Sequence, residues 1–128
     1  MAKQEEHHWE LVRGLAEQLK PIFDNSPQGI YLYLDDTHKT CNKQFAALLG
    51  YESVQAWEEV DAPLADVVEA HQSRVIETYE RASEKMEAGS LKVTMKNPGT
   101  GDLIKVDTIA VPVAYQGHVM VLYFLNKV

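Results

Sequence analysis

The segment "HVMVLYFL" constrains the fold most, because every side chain from Val119 to Leu125 is apolar or aromatic. A strand with one face in water alternates apolar and polar residues, so this unbroken run predicts a strand that is covered on both faces. The central helices of the chain can cover one of these faces. The other face needs a second apolar surface.

The N-terminal segment supplies such a surface, since its apolar residues recur at the three- and four-residue spacing of an amphipathic helix. We expect this helix to end near Lys20, because Pro21 cannot continue it. About two heptads are too few for a stable isolated coiled coil, so the apolar stripe must pack on something. Residues 1–20 are therefore predicted to cover the outer face of the sheet, alone or with a second subunit, and residues 21–128 to form the core domain. The covering and dimerisation candidates on this segment and just after it are Trp9, Val12, Leu15, Ala16, Leu19 and Phe23.

The segment "GIYLYL" reads as a strand that alternates aliphatic and tyrosine residues. The pattern separates Ile30 and Leu32 from Tyr31 and Tyr33, which lie on opposite faces. We expect the two tyrosines to lie on the outer face, under the N-terminal helix, as further covering candidates. The following "DDTHKT" is predicted to be a hairpin turn and a short return strand.

The central third of the chain predicts three helices with recognisable starts and stops. Asn42 and Ser53 are good N-caps, and Gly50 suits a left-handed helix end. A third start is expected at Asp61, with Pro63 in the first turn. The longest central helix is predicted over residues 67–88, ended by Gly89.

The last third alternates apolar and polar residues and predicts three strands. Pro112 cannot donate a ladder hydrogen bond, which indicates an edge position or a bulge within the second of these strands. The order of elements predicts an α+β domain. Its five-stranded antiparallel sheet carries the central helices on one face and the N-terminal helix on the other.

Composition excludes several classes of function. The net charge of -7 and the scattered lysines and arginines argue against nucleic acid as a partner. The single cysteine requires no oxidising compartment, and no window reaches the apolar length that spans a bilayer. We therefore expect a cytoplasmic protein that does not insert in a membrane.

The residues "IFDNSPQGIYLYLDDTHKTCNKQFAALLGYES" resemble the first half of a PAS domain, and "MKNPGTGDLIKVDTIAVPVAYQGHVMVLYF" resembles its final three-stranded half. The resemblance covers about residues 20–125, with "NKQFAALLGYES" as its most specific part. It implies a pocket between the inner sheet face and the central helices, a sensory or regulatory role, and dimerisation through the N-terminal helix. The chain ends in "FLNKV", where signalling relatives often carry Asp-Ile-Thr, so we expect the output to be self-association or a separate effector protein.

Two residues, Cys41 and His71, are of the types that bind flavin or haem in this family, but the sequence disfavours both cofactors. Flavin photosensors of this family carry their reactive cysteine in an Asn-Cys-Arg motif, whereas this chain reads Cys41, Asn42, Lys43, and Cys41 is expected to be a small buried hydrophobe. His71 stands on the helix from which haem-binding relatives supply an axial ligand. We expect His71 to be solvated or to cap the helix, so the cofactor remains unassigned.

Metal binding and catalysis have weaker support than ligand binding. Asp35, Asp36 and His38 include metal-ligand types, but the hairpin turn explains them better, and His7 and His8 are expected to be solvated. No metal ligands and no catalytic residues are assigned, because nucleophile and phosphate-loop motifs are missing. We do not expect an enzyme.

The predicted pocket lies between the sheet and the central helices. Thr108, a polar residue in an apolar strand, is the best candidate for orienting a ligand, although an internally bonded hydroxyl is the alternative. For any single apolar candidate, a place in a dry core is the favoured reading. The remaining candidates are Leu32, Phe45, Leu49, Trp57, Ile76, Tyr79, Val93 and Met95.

These observations favour a dimeric PAS-type regulatory module in signal transduction that binds a small, mostly apolar ligand, a protein partner, or both. A ligand-free scaffold that pairs proteins is the first alternative. A small α+β enzyme with a conical pocket is the second, and it would need acid and base groups inside.

Overall fold

The computed structural model describes residues 2–128, with side chains from Glu6 onward. The helices are α1 (Ala2–Gln18), α2 (Lys20–Asn25), α3 (Lys43–Leu49), α4 (Val54–Glu58) and α5 (Glu69–Lys85), with a 3-10 helix at Pro63–Asp66. The strands are β1 (Gly29–Tyr33), β2 (Lys39–Cys41), β3 (Gly89–Lys96), β4 (Leu103–Tyr115) and β5 (His118–Lys127).

The strands form one five-stranded antiparallel sheet in the order β2-β1-β5-β4-β3. The predicted α+β class and strand count are confirmed. β5 is the central strand, between β1 and β4, and all its residues from Met120 to Leu125 are buried except the partly buried Phe124. The unbroken apolar run therefore marks the strand with both faces covered, as predicted.

α1 and α2 from the same chain cover the β1 and β5 part of the outer face of the sheet, whereas the outer side of β4 is exposed at Leu103 and Ile109. Leu11, Val12 and Leu15 of α1 are at most 4% exposed. They form one core cluster with the outer-facing side chains of β1 and β5, which are Ile30, Leu32, Met120 and Leu122. Because burying such side chains removes apolar area from water, this contact is the main reason for α1 to dock.

The face assignment of the first strand is the main correction to the sequence prediction. Tyr31 and Tyr33 lie on the inner face with the central helices, and Leu32 lies on the outer face under α1. Alternation correctly separated the two sets of residues. It could not tell which set faces which layer, because both faces of β1 are buried.

Pro112 lies in the part of β4 that extends beyond β3, where β4 is the edge of the sheet. β3 pairs with β4 from Lys96↔Leu103 to Gly89↔Ala110, so Pro112 is beyond the end of β3 and has only β5 beside it. The missing N–H of Pro112 therefore leaves no gap in a ladder on the β3 side.

The predicted helix caps of α3 and α4 are confirmed. Asn42 Oδ1 accepts from Phe45 N at 2.9 Å, and Ser53 Oγ accepts from Ala56 N at 3.0 Å. Gly50 ends α3 with φ at 82°, the left-handed value that glycine adopts without strain.

Two predicted helix boundaries are wrong. Asp61 caps no helix, because the 3-10 helix begins at Pro63 after Ala62, whose side chain cannot cap. α5 ends at Lys85, where Met86 takes a left-handed conformation with φ at 56°, so Gly89 begins β3 instead of ending the helix. At the N-terminus, the chain kinks after Gln18 and continues as α2 through Pro21.

Candidate functional site

A cavity of about 230 Å³ lies between the inner face of the sheet and the central helices. β1 and β5 form its floor, and α5 with the 3-10 helix forms its rim. Its walls are apolar and rich in aromatic rings, as in most small-molecule sites. The lining residues are Tyr31, Tyr33, Asp36, Phe45, Trp57, Pro63, Leu64, Val67, Val75, Ile76, Tyr79, Met95 and Tyr123.

The floor of the cavity is a stack of two tyrosines. Tyr31 and Tyr123 are Cα partners across β1 and β5, and their rings stack with centroids 4.2 Å apart and planes 11° apart. Phe45 and Trp57 meet edge to face at 5.0 Å, and Phe45 also contacts Tyr31 at 4.8 Å. These ring contacts give the cavity an aromatic, apolar wall.

The tyrosine hydroxyls differ in their partners. The Tyr33 hydroxyl donates to Asp36 Oδ1, and the Tyr79 hydroxyl donates to Leu34 O at 3.3 Å. Among residues 6–128, whose side chains are described, none forms a hydrogen bond with the hydroxyl of Tyr31 or of Tyr123. These two hydroxyls are available to a ligand.

Burial sets the protonation of these tyrosines. Desolvation raises the pKa of Tyr31, and the neighbouring Tyr123 and Tyr33 raise it further. Desolvation also raises the pKa of Tyr123, with a smaller contribution from Tyr79. Both hydroxyls therefore stay protonated at physiological pH and can donate a hydrogen bond.

A second cavity, of about 10 Å³, adjoins the first above β3, β4 and β5. Thr108 lines it, and the buried Thr108 Oγ1 has no hydrogen-bond partner among the described side chains and backbone. The space approaches the size that holds one water molecule. Thr108 therefore offers a polar group at the inner end of the site, next to the stacked tyrosines.

The structure brings most of the sequence candidates together. Phe45, Trp57, Ile76, Tyr79 and Met95 line the main cavity, and Val93 and Thr108 line the smaller one.

Two candidates lie elsewhere. Leu49 is buried in the same core without lining either cavity. Leu32 is on the opposite face of the sheet, so its assignment to the pocket is wrong.

The covering candidates on α1 and α2 pack against the sheet of their own chain. Val12, Leu15 and Phe23 are buried, and Ala16 and Leu19 pack against the same cluster. The Trp9 ring contacts His38 at 5.3 Å and lies under the Arg13 guanidinium at 4.7 Å. The homodimer stays a prediction, and Tyr31 and Tyr33 are not part of the outer cover.

Sequence reasoning missed several lining residues. Tyr31 and Tyr33 were assigned to the wrong face and Tyr123 was not singled out, although a hydroxyl on an otherwise apolar strand is itself a sign of a cavity or a buried partner. Asp36 and the 3-10 helix residues carried no such signal. Asp36 reaches the cavity because the turn after β1 folds over its mouth.

The buried Lys39 was also missed. Its ammonium donates to Asp36 O at 2.5 Å, Glu58 O at 3.1 Å and Val60 O at 2.6 Å, and it lies 5.3 Å from the Trp57 ring centroid. Burial lowers the pKa of Lys39, opposed by nearby carboxylates, of which Asp36 contributes most. The lysine thereby joins the turn after β1 to the end of α4, behind the wall that Trp57 forms.

Cys41 and His71 have structural roles. Cys41 is buried, as expected for a small hydrophobe; burial raises the pKa of its thiol, and Glu58 adds to the effect, which favours the un-ionised form. His71 Nδ1 accepts from Thr94 N at 2.9 Å. His71 therefore joins α5 to β3, a contact that the expectation of a solvated or capping residue did not include, and it lines neither cavity.

Comparisons with known proteins agree with this architecture. The sequence model described as "PAS domain" matches residues 17–83, more than half of the chain. No curated protein sequence matches the chain.

Among solved structures, a PAS domain from Colwellia psychrerythraea is similar with a TM-score of 0.68 and 18% identity, covering 89% of this chain and 97% of that one. The PAS domain of an HTR-like protein from Haloarcula marismortui gives a TM-score of 0.67 and 16% identity, over 100% of both chains. A domain of a sensory box sensor histidine kinase/response regulator from Geobacter sulfurreducens gives 0.64 and 16%, over 88% and 93%.

A helix able to cross a membrane is missing from the described part of the chain. PAS domains are sensory domains of signal transduction and are generally not enzymes. The sequence match and the shared fold show that this chain belongs to the PAS domain family.

Proposed function

We propose that this PAS domain senses a small, flat, mostly apolar molecule that binds in the cavity between the sheet and α5. The observation that carries the proposal is the pair of stacked tyrosines on the cavity floor, whose hydroxyls have no partner among the described residues. Neither hydroxyl is among the fully buried polar atoms of the described residues, so both are accessible to the acceptor group of a ligand.

The lining narrows the chemistry of the ligand. The volume of about 230 Å³ is below the usual range for drug-sized ligands, which favours a molecule of one or two rings. Asp36 is the one charged side chain among the described lining residues, so a neutral or cationic molecule fits better than an anion. A carbonyl or hydroxyl on the ring would accept from Tyr31 or Tyr123.

The floor of the cavity suggests how occupancy is transmitted. Tyr31 and Tyr123 belong to the strands whose opposite faces hold Leu32 and Leu122 under α1. A ligand that favours one packing of these strands would change the docking of α1 by its difference in affinity between the two states. The proposed output is a change in self-association or in contact with a separate protein.

Purification from the source cells tests the proposal. Native mass spectrometry of the full chain should show a bound small molecule and the subunit count together, and denaturation should release a compound with an aromatic absorption band. Tyr31→Phe removes one hydroxyl and should retain less of it. Val75→Trp, which fills the cavity from α5, should retain none.

Ile109→Trp is the matched control, because it adds the same ring at a 47%-exposed position on the outer face. It should retain the molecule as the wild type does. Equal retention by the Val75→Trp and wild-type proteins, with both folded by circular dichroism, would contradict the proposal. So would a wild-type protein that carries nothing and binds neither phenol nor indole.

A further inference from the structure

Four of the five histidines of the chain gather at one end of the sheet. His8 lies 5.2 Å from His38 and 5.8 Å from His118 between ring centroids, and His7 lies 5.4 Å from His118. β1 and β5 are antiparallel, so the turn after β1 and the start of β5 meet at this end. The early turns of α1 cross above it.

Asp35 lies between two of these histidines. Its Oδ1 is 2.8 Å from His38 Nδ1, and its Oδ2 is 3.8 Å from His8 Nδ1. Thr37 N and His38 N also donate to Oδ1, at 3.0 Å and 2.7 Å, which fixes the carboxylate. One potential ligand atom from each of His8, Asp35 and His38 falls within 4.8 Å of the others.

His38 carries an independent sign of a missing partner. The residue is 4% exposed, and its Nε2 is buried without a hydrogen-bond partner among the described residues. A buried ring nitrogen is normally satisfied, and each exception calls for an explanation. Imidazole nitrogen is also among the commonest metal ligands in proteins.

We propose that His8, Asp35 and His38 bind a divalent transition metal ion of the zinc class. Two imidazoles and a carboxylate are the donors that Zn²⁺ takes in three-ligand sites, whereas Mg²⁺ and Ca²⁺ prefer oxygen alone. Tetrahedral donors about 2.1 Å from zinc lie about 3.4 Å apart. The three donor atoms lie within 4.8 Å of one another and must therefore close by at most about 1.4 Å, which a rotation of the partly exposed His8 side chain can provide.

Such a site would join the outer cover to the core. His8 belongs to α1, whereas Asp35 and His38 belong to the turn between β1 and β2. A metal bound across them stabilises the docked position of α1, because it binds that arrangement and not the undocked one. The docking of α1 would then respond to metal as well as to the cavity.

Calorimetry on the full chain without an affinity tag tests the site. Zn²⁺ chloride should bind one ion per chain in the micromolar range or tighter and raise the melting temperature, whereas Mg²⁺ should do neither. His8→Gln should lower the affinity for Zn²⁺ at least tenfold. His38→Gln should do the same, and His8→Gln alone suffices if the buried substitution prevents folding.

His71→Gln is the matched control, since this histidine lies on α5 outside the cluster, and its zinc affinity should equal that of the wild type. Imidazole nitrogen NMR should show zinc-induced shifts at His8 and His38 but not at His71. Equal zinc affinity of the His8→Gln and wild-type proteins, or no 1:1 binding by the wild type, would overturn the proposal.

Discussion

Asp66 shows how one buried side chain makes stability depend on pH. The residue is 6% exposed and accepts a hydrogen bond from the Tyr51 hydroxyl. Desolvation raises the pKa of Asp66 against the opposing effects of that hydrogen bond and of Lys96. The folded state therefore holds the proton more tightly than the unfolded chain does.

We predict that the free energy of unfolding of the Asp66→Asn protein exceeds that of the wild type by an amount that grows as the pH rises. The stability contributed by the raised pKa is complete below the unfolded pKa of about 3.9 and is lost as the pH rises through the folded pKa. Asparagine does not titrate and still accepts from Tyr51. Urea unfolding from pH 4 to pH 8 should show the difference growing by about 1.4 kcal/mol per unit of pKa difference.

The exposed Asp102→Asn is the control for this series and should change the free energy of unfolding by less than about 0.5 kcal/mol throughout. A difference between the Asp66→Asn and wild-type proteins that stays constant, or that shrinks as the pH rises, would show that the carboxyl is not destabilised by burial.

Single residues also show what the sequence could predict. The cap at Asn42 follows from residue type and position, because capping is local. The other hydrogen bonds of Asn42 could not be predicted in this way. Its Oδ1 also accepts from Ile30 N at 2.9 Å, and its Nδ2 donates to Gln28 O at 3.0 Å and to Phe23 O at 3.3 Å. These contacts depend on how α2, β1 and α3 meet, as does the burial of Lys39.

α1 is the element whose role the sequence predicted best. Its stripe had to be buried, and Val12 at its centre is 0% exposed on the outer face of the sheet. We predict that Val12→Ala lowers the free energy of unfolding by about 1–3 kcal/mol, because it removes two buried methyl groups and leaves a cavity. Chemical denaturation with a single transition would place α1 in the same cooperative unit as the sheet.

Glu17→Ala is the comparison within the same helix. Glu17 is exposed, so its truncation should change the free energy of unfolding by less than about 0.5 kcal/mol. Equal, small effects of the Val12→Ala and Glu17→Ala changes would mean that α1 does not cover the sheet in solution.

The strands show why the rest of the site could not be predicted. A period of two separates Tyr31 from Leu32 in any strand, but choosing the face requires one side to be polar, and β1 has none. The ring stack of Tyr31 on Tyr123 depends on the register of two strands about ninety residues apart in sequence. Likewise, His8, His38 and His118 meet only because the topology brings three separate segments to one sheet end.

The sheet has two different covers, one on its inner face and one on the β1 and β5 part of its outer face. α1 and α2 pack closely on the outer face, whereas the cover formed by the central helices leaves a cavity on the inner face. The same two strands, β1 and β5, contact both covers. The proposed function depends on this asymmetry between a filled outer layer and an inner layer with room for a ligand.

Nuclear Overhauser contacts in a methyl-labelled full chain titrated with phenol test this asymmetry directly. The ligand should give contacts to the inner methyl groups of Val67 and Met95, while the methyl groups of Met120 and Leu122 keep contacts to α1 and do not shift. Ligand contacts at Met120, or no saturable contact at Met95, would contradict the account.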